Sequence, residues 1–471
     1  MTSGSSLHCA GCGWVPPEDE PYPFRCAHAG SDDTDHVIVR VLEDEVAWPG
    51  GDEPNPFVRY RTLLHSYHLA LGRGMSDAQY VDLVERLDKE VAAVDGRGFT
   101  VTPFGRSGEL SERLGFAADG GAWVKDETGN VSGSHKARHL FGILLHLAVA
   151  QETGLVDPND SPELAIASCG NAALAAAVVA RAGNRRLLVF IPTWADPLVV
   201  KRLRSLGAVL EVCERQPGAS GDPTYHALQR AIAEGALPFT CQGNENGLAI
   251  EGGQTLGYEM VSALREGGTE LDRVCVQVGG GALASSVVAA FGEAVRLGAI
   301  DGLPMIHAVQ TQGGYPLKRA YDAVAERILA RIEEETGERP DSPEDEADRA
   351  EFISGRAGTP PVEDALAYAA RHRSQFMWPW EEEPKSLAHG ILDDETYDWL
   401  AVVRGMIASG GYPVLVGEDT LERANELGRV AGRIDADHTG TSGLAGLMEL
   451  RDREEAGCEE RVAVLFTGAR R

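Results

Sequence analysis

From Gly96 onward the chain alternates short apolar runs with amphipathic stretches. The runs "AWVKDE", "ELAIAS", "LLVFIP", "AVLEVC", "RVCVQVGGG", "MIHAVQT", "YPVLVG" and "RVAVLFTG" have the length and the bounding residues of buried strands. Between most of them the apolar spacing predicts helices, over 170–182, 196–206, 222–234 and 281–297. Upstream, residues 76–94 also carry helical spacing, with Ser76 placed as an N-cap. Strand–helix alternation of this kind predicts an α/β protein with largely parallel sheets.

Two regions break the rhythm. Residues 1–30 are loop-rich and hold Cys9, Cys12, Cys26 and His28. Residues 323–390 begin with a strongly acidic helical stretch and continue into "RHRSQFMWPWEEEP", which holds Trp378 and Trp380. This second region reads as an insertion, either a lid or a solvated excursion with a small aromatic core. The expected division is a small N-terminal module over 1–30, a large domain over 31–150 and 236–471, and a small α/β domain over 151–235. At 471 residues the chain is long enough for two to three domains.

The formal charge of −29 removes whole classes of partner. Binding to nucleic acid or to an anionic membrane needs clustered Lys and Arg. The N-terminus lacks the basic and apolar regions of a signal peptide, and no apolar run spans a bilayer. A cytoplasmic protein is the expectation. Cys213, Cys241, Cys275 and Cys458 are scattered, which fits reduced thiols rather than a disulfide frame.

Lysine is scarce, yet "GNVSGSHKARH" places Lys136 at the start of an apolar helix, after a glycine- and serine-rich approach. A lysine so placed costs desolvation unless it is paired or used covalently, as in a Schiff base. Alone it would more often face solvent. Three other stretches join it. "ASCGNAAL" is a strand end, a polar turn and a helix start; Ser168, Cys169, Gly170 and Asn171 offer backbone N–H groups to a carboxylate. "VQVGGGAL" is a strand, then Gly279, Gly280, Gly281 and Ala282, where the backbone can approach a phosphate closely. "VAVLFTG" ends a strand on the hydroxyl of Thr467.

In this order the four motifs resemble the fold-type II pyridoxal-phosphate enzymes, which include threonine synthases, serine and threonine dehydratases and tryptophan synthase β chains. The resemblance covers about residues 100–320 and 385–468. It implies a two-domain parallel-sheet fold and a pyridoxal 5'-phosphate cofactor. Lys136 would be the Schiff-base and catalytic lysine. Ser168 to Asn171 would hold the substrate carboxylate, with Asn171 also meeting the cofactor ring. Gly279 to Ala282 would hold the phosphate, and Thr467 would face the ring nitrogen. His135 is then either a phosphate contact or a plain helix-start residue. A small amino acid is the implied partner, and a homodimer is expected by analogy.

One departure bears on the substrate. Threonine synthases of the family bind a phosphorylated substrate through an arginine and a lysine in a stretch that matches Asn246–Thr255. Here Ala249 and Gln254 stand at those places. A phosphate dianion without cationic partners binds poorly. The expectation is therefore β-elimination from an unphosphorylated β-hydroxy amino acid, giving a keto acid and ammonia. β- or γ-replacement uses the same residues, and a non-catalytic cofactor-binding protein is a third reading. Ala249, Tyr315, Trp378 and Trp380 are placed as candidate pocket residues by their nearness to the motifs. Finally, Cys9-x2-Cys12 with Cys26-x-His28 resembles half of a zinc ribbon, and would hold a structural zinc; without metal the stretch would be a loop-rich arm.

Overall fold

The computed structural model describes residues 4–157, 159–215 and 221–470. Its strands are β1 (Ser5–Cys9), β2 (Ile38–Leu42), β3 (Phe104–Arg106), β4 (Gly121–Asp126), β5 (Leu164–Ala167), β6 (Leu187–Pro192), β7 (Val209–Cys213), β8 (Leu237–Pro238), β9 (Arg273–Gln277), β10 (Met305–Thr311), β11 (Val414–Val416) and β12 (Arg461–Phe466). All eight apolar runs are strands. The helices fall where the spacing put them, at Asn171–Ala182, Pro197–Ser205, Pro223–Ala233 and Ala282–Arg296. The helix Asp77–Asp95 starts on Ser76, whose side chain caps it reciprocally with Gln79, and stops at Gly96 in the left-handed region.

The chain divides into two compact units. The first holds residues 1–27, 37–101 and 129–256; the second holds 28–36, 102–128 and 257–471. In the first unit β7-β6-β5-β8 form a parallel sheet. The helix Lys136–Glu152 packs beside the helix Asn171–Ala182 and so goes with that sheet. The N-terminal stretch up to residue 27 falls in the same unit. Strand β1 pairs antiparallel with β2, Phe24 O accepts from Gly247 N at 3.0 Å, and Pro21 O accepts from His146 Nε2 at 2.9 Å.

In the second unit the sheet order is β11-β10-β9-β12-β4-β3, parallel except for the edge strand β3. The stretch expected as an insertion belongs to this unit. It contains most of the helix Pro316–Thr336 and all of the helices Glu346–Ser354 and Pro360–Arg371. Trp378 and Trp380, proposed as pocket residues, stack on Arg319, whose guanidinium carbon lies 4.4 and 4.5 Å from the two ring centres. Glu381 closes the cluster, accepting from Arg319 Nη1 and from Trp378 Nε1. Tyr315 lies against Trp380, with ring centres 4.6 Å apart.

Residues 28–36 join the second unit through the turn after the last of these helices. Asp35 N donates to Ala370 O, and Arg373 N donates to Asp33 O. The Asp35 carboxylate faces Arg373 at 3.5 Å. Burial nevertheless pushes this carboxyl up to about 6, the opposing pull of Arg373 being the smaller effect. The folded chain then binds the Asp35 proton more tightly than the unfolded chain does. The contribution of this group to stability is full in acid and is lost as pH rises from about 4 to about 6. Asp35→Asn should remove that loss, worth at most about 3 kcal/mol. The Tm of the variant, followed from acid to neutral pH, should gain on the wild type across the window; parallel curves would reject the assignment.

Candidate functional site

Each unit carries part of the set singled out by sequence. In the first unit the approach to Lys136 is a tight bend. Ser132 (φ 57) and Gly133 (φ 71) take consecutive left-handed conformations. Ser132 N donates to Asp95 Oδ2 at 2.9 Å, and Asn130 Nδ2 reaches Ser134 O at 3.4 Å. The small residues of "GNVSGS" are thus required by the bend itself. It delivers Lys136, half-buried, as the first residue of the helix Lys136–Glu152. Ser134 Oγ, just ahead of it, is buried without a hydrogen-bond partner.

That helix is seated by a backbone contact. At Gly142 it crosses the helix Leu248–Gly267 at Gly252 so closely that a Cβ on Gly252 would lie 2.2 Å from Arg138 O. Arg138 is fully buried and donates to Thr255 Oγ1 at 3.1 Å. His139 Nδ1 lies 2.9 Å from Ala249 O. The stretch Asn246–Thr255 is therefore interior. Ala249 is completely buried, and Gln254 Oε1 accepts from Arg40 Nη2 at 2.8 Å while Glu251 pairs with Arg40 at 2.9 Å.

The turn Ser168–Asn171 follows β5 and opens the helix Asn171–Ala182; all four residues are half-buried. Ser168 N donates to Phe190 O at 3.2 Å, and Gly170 N approaches Ser168 Oγ at 3.4 Å. The first-turn N–H groups of a helix have no intrahelical acceptor, so the turn suits a carboxylate. Burial pushes the Cys169 thiol up, which keeps it protonated and a poor nucleophile.

Three cysteines of the first unit gather as the sequence spacing suggested. The Sγ atoms of Cys9, Cys12 and Cys26 lie within 4.8 Å of one another. Burial pushes the Cys9 thiol up. The sequence reading placed His28 with them. His28 is exposed and belongs to the second unit, where its ring stands edge-on to His36, with centres 6.3 Å apart.

In the second unit Gly279, Gly280 and Gly281 link β9 to the helix Ala282–Arg296. Gly281 sits at φ +98, a conformation that favours glycine. The segment after the tryptophans lies directly on this turn. Thr396 Oγ1 donates to Gly279 O at 2.9 Å, and Asp398 N donates to Gly280 O at 3.0 Å. A Cβ on Gly279 would meet Asp393 Oδ2 at 2.3 Å, and one on Gly280 would meet the Tyr397 ring at 2.9 Å.

Thr467 follows β12 and is buried. Its Oγ1 accepts from Gln277 Nε2 at 2.6 Å, and the same amide donates to Leu465 O at 3.1 Å. A hydroxyl that accepts one bond keeps a proton with which it can donate. Gln277 ends β9, two residues before the glycine turn, so that turn and Thr467 share the carboxyl ends of neighbouring parallel strands. Ligands of open α/β sheets bind at such ends.

Sequence reasoning missed Gln277, His139 and the Asp393–Asp398 segment. The first two carried a signal, each being a polar residue inside an apolar strand or helix. The third had none, because its partner turn is over a hundred residues away.

The residues present fit a pyridoxal phosphate group. In the first unit the half-buried amine of Lys136 suits an aldehyde, and in the second the glycine turn, which tolerates no side chain, and the Thr467 hydroxyl suit a phosphate and a ring nitrogen.

A family model described as pyridoxal-phosphate dependent enzyme matches residues 97–377. The biosynthetic L-threonine dehydratase of Haemophilus influenzae is 27% identical over 212 residues, 45% of this chain and 36% of that protein. The match thus spans about a third of that relative's length. The threonine synthase of Methanocaldococcus jannaschii is 24% identical over 369 residues, 78% of this chain and 74% of that protein. Among solved structures, maize serine racemase superposes with a TM-score of 0.54 at 17% identity, covering 82% of this chain and 93% of its own. At that identity the likeness shows the fold, which is that of the fold-type II enzymes.

Since Gly252 holds the Lys136 helix by direct backbone contact, Gly252→Ala should force the two helices apart. A loss of about 1–3 kcal/mol or more is expected. Thermal or denaturant unfolding measures it; an unchanged midpoint would contradict the observed approach.

Proposed function

The chain belongs to the pyridoxal-phosphate dependent enzyme family, and from that premise we propose that it is an ammonia-lyase. Its substrate is an unphosphorylated β-hydroxy amino acid, and its products are a keto acid and ammonia. The observation that carries this reading is the interior of the Asn246–Thr255 stretch. Ala249 is wholly buried and Gln254 is committed to Arg40, so neither position offers a cation to a substrate phosphate. The likeness to a threonine dehydratase supports it.

Lys136 would hold the cofactor by its aldehyde, Gly279 to Ala282 by its phosphate, and Asn171 and Thr467 would meet its ring. When bound, that cofactor supplies a sink for the electron pair left at Cα. The amides of Ser168–Asn171 bind and orient the substrate carboxylate. Lys136 Nζ, once released, takes the proton from Cα as general base. The Cβ–O bond then breaks as the electron pair from Cα forms the Cα–Cβ double bond, and the departing hydroxyl takes a proton from solvent and leaves as water. The unsaturated amine hydrolyses to the keto acid and ammonia. Thr467 would donate a hydrogen bond without giving up its proton, because a hydroxyl is a far weaker acid than a carboxylic acid. Such a partner would leave the ring nitrogen neutral and the sink moderate. That favours prompt loss of a β leaving group over a long-lived carbanion.

Replacement chemistry is the second reading, favoured by the longer match to a threonine synthase. Keto-acid and ammonia release from serine, threonine, bulkier β-hydroxy amino acids and O-phosphohomoserine separates the two. Release from an unphosphorylated member, abolished at least about a thousandfold in Lys136→Ala, is expected. Turnover of O-phosphohomoserine alone would reject the substrate class.

Cys9, Cys12 and Cys26 are proposed to hold a structural zinc with a histidine as fourth ligand. His28 is the candidate by spacing. His36 is a second, because β-sheet register pairs Cys9 with Ile38, two residues beyond it. Elemental analysis should find about one zinc per chain. Cys9→Ser should lose it, and of His28→Ala and His36→Ala only one should. No zinc in protein purified without chelators would reject the site.

A further inference from the structure

His139, in the first turn of the Lys136 helix, is a titratable side chain that the lyase reading does not use. It is completely buried. Its Nδ1 lies 2.9 Å from Ala249 O, and a carbonyl can only accept, so Nδ1 carries the proton. Burial first, and the charge of nearby Lys136 second, hold its pKa down at about 3. The ring is therefore neutral near pH 7, and Nε2 presents a lone pair. That atom is buried and has no hydrogen-bond partner. An acceptor left in that state is destabilising, and a leucine would avoid the cost.

The placement suggests what the lone pair is for. Residues three apart share a helix face, and side chains lean toward the helix N-terminus. The His139 ring thus leans over the turn that begins with His135 and Lys136. Its edge-to-face contact with His135, at 5.6 Å between ring centres, agrees with that direction.

We propose that His139 is a positioning residue for Lys136, its Nε2 accepting a hydrogen bond from the Nζ ammonium that forms when Lys136 takes a proton from Cα. The assignment rests on the lyase reading. The Ala249 carbonyl fixes the tautomer, the Gly142–Gly252 contact fixes the carbonyl, and the ring is thereby pre-set as an acceptor. Nothing is transferred to His139; the proton stays on Nζ, and the hydrogen bond stabilises the charged amine and its direction.

Two amide variants divide the ring's two roles. In His139→Asn the side-chain NH2 falls near Nδ1 and can keep the bond to Ala249, but no acceptor reaches the place of Nε2. In His139→Gln the carbonyl oxygen falls near Nε2, and the Ala249 bond is lost. Cofactor-loaded wild type and both variants are compared for kcat and KM in keto-acid release, for the cofactor's visible absorption band at fixed pH, and for Tm. His139→Asn should lower kcat by about tenfold or more, with KM within about threefold, and shift the band. His139→Gln should stay near wild type in both while losing more Tm. Equal losses in the two variants, following Tm, would mean a merely structural histidine and overturn the proposal. If the wild type releases no keto acid from any substrate, the lyase reading has failed separately. The band then decides: moved by Asn and not by Gln, the positioning role stands; unmoved by Asn, it falls.

Discussion

Two helix backbones touch at Gly142 and Gly252, and the first unit's chemistry hangs from that contact. No side chain separates them, so the start of the Lys136 helix is held by main chain rather than by adjustable packing. Interiors pack at crystal-like density and transmit small shifts. The same contact brings the Ala249 carbonyl to His139 and encloses Arg138 against Thr255. A chain built this way gives up tolerance to substitution at both glycines and gains a fixed origin for its lysine. The bend at Ser132 and Gly133 completes the constraint from the other side, since two left-handed residues leave little freedom of approach.

The second unit solves the same problem with a side chain. Gln277 sits at the end of β9, and its amide ties Thr467 to the strand that leads into the glycine turn. Parallel strands end together, so one buried amide can register a hydroxyl from β12 against a turn from β9. The glycine carbonyls are then covered from above by Thr396 and Asp398. Both halves thus use short-range, buried hydrogen bonds whose partners cannot slide.

Much of this architecture was legible in the chain. Leu187–Pro192 is a continuous apolar run, and Met305–Thr311 is a mostly apolar one, because both strands are covered on both faces. Strands β3 and β8 escaped notice because they have only three and two residues and lie where pairing, not pattern, defines them. The pair β1 and β2 was hidden for another reason: its register depends on residues some thirty apart. Lys136, the Ser168 turn, the glycine turn and Thr467 stand out in the sequence because each is a local anomaly in an apolar context. His28 is a ligand candidate by spacing, and the 28–36 stretch that carries it is tied to Ala370 and Arg373 by backbone hydrogen bonds that no local pattern announces. Spacing reads the order of ligands along a chain, not the route the chain takes between them.

The stacked cluster around Arg319 has an optical consequence. Two of the chain's seven tryptophans, Trp378 and Trp380, flank one guanidinium. Trp380 N donates to Asp394 O at 2.9 Å, so the indoles continue directly into the segment that covers the glycine turn. A cation against an indole face alters its emission, and withdrawal of the cation alters it again. The protein therefore carries its own fluorescent gauge of that segment, needing no added label.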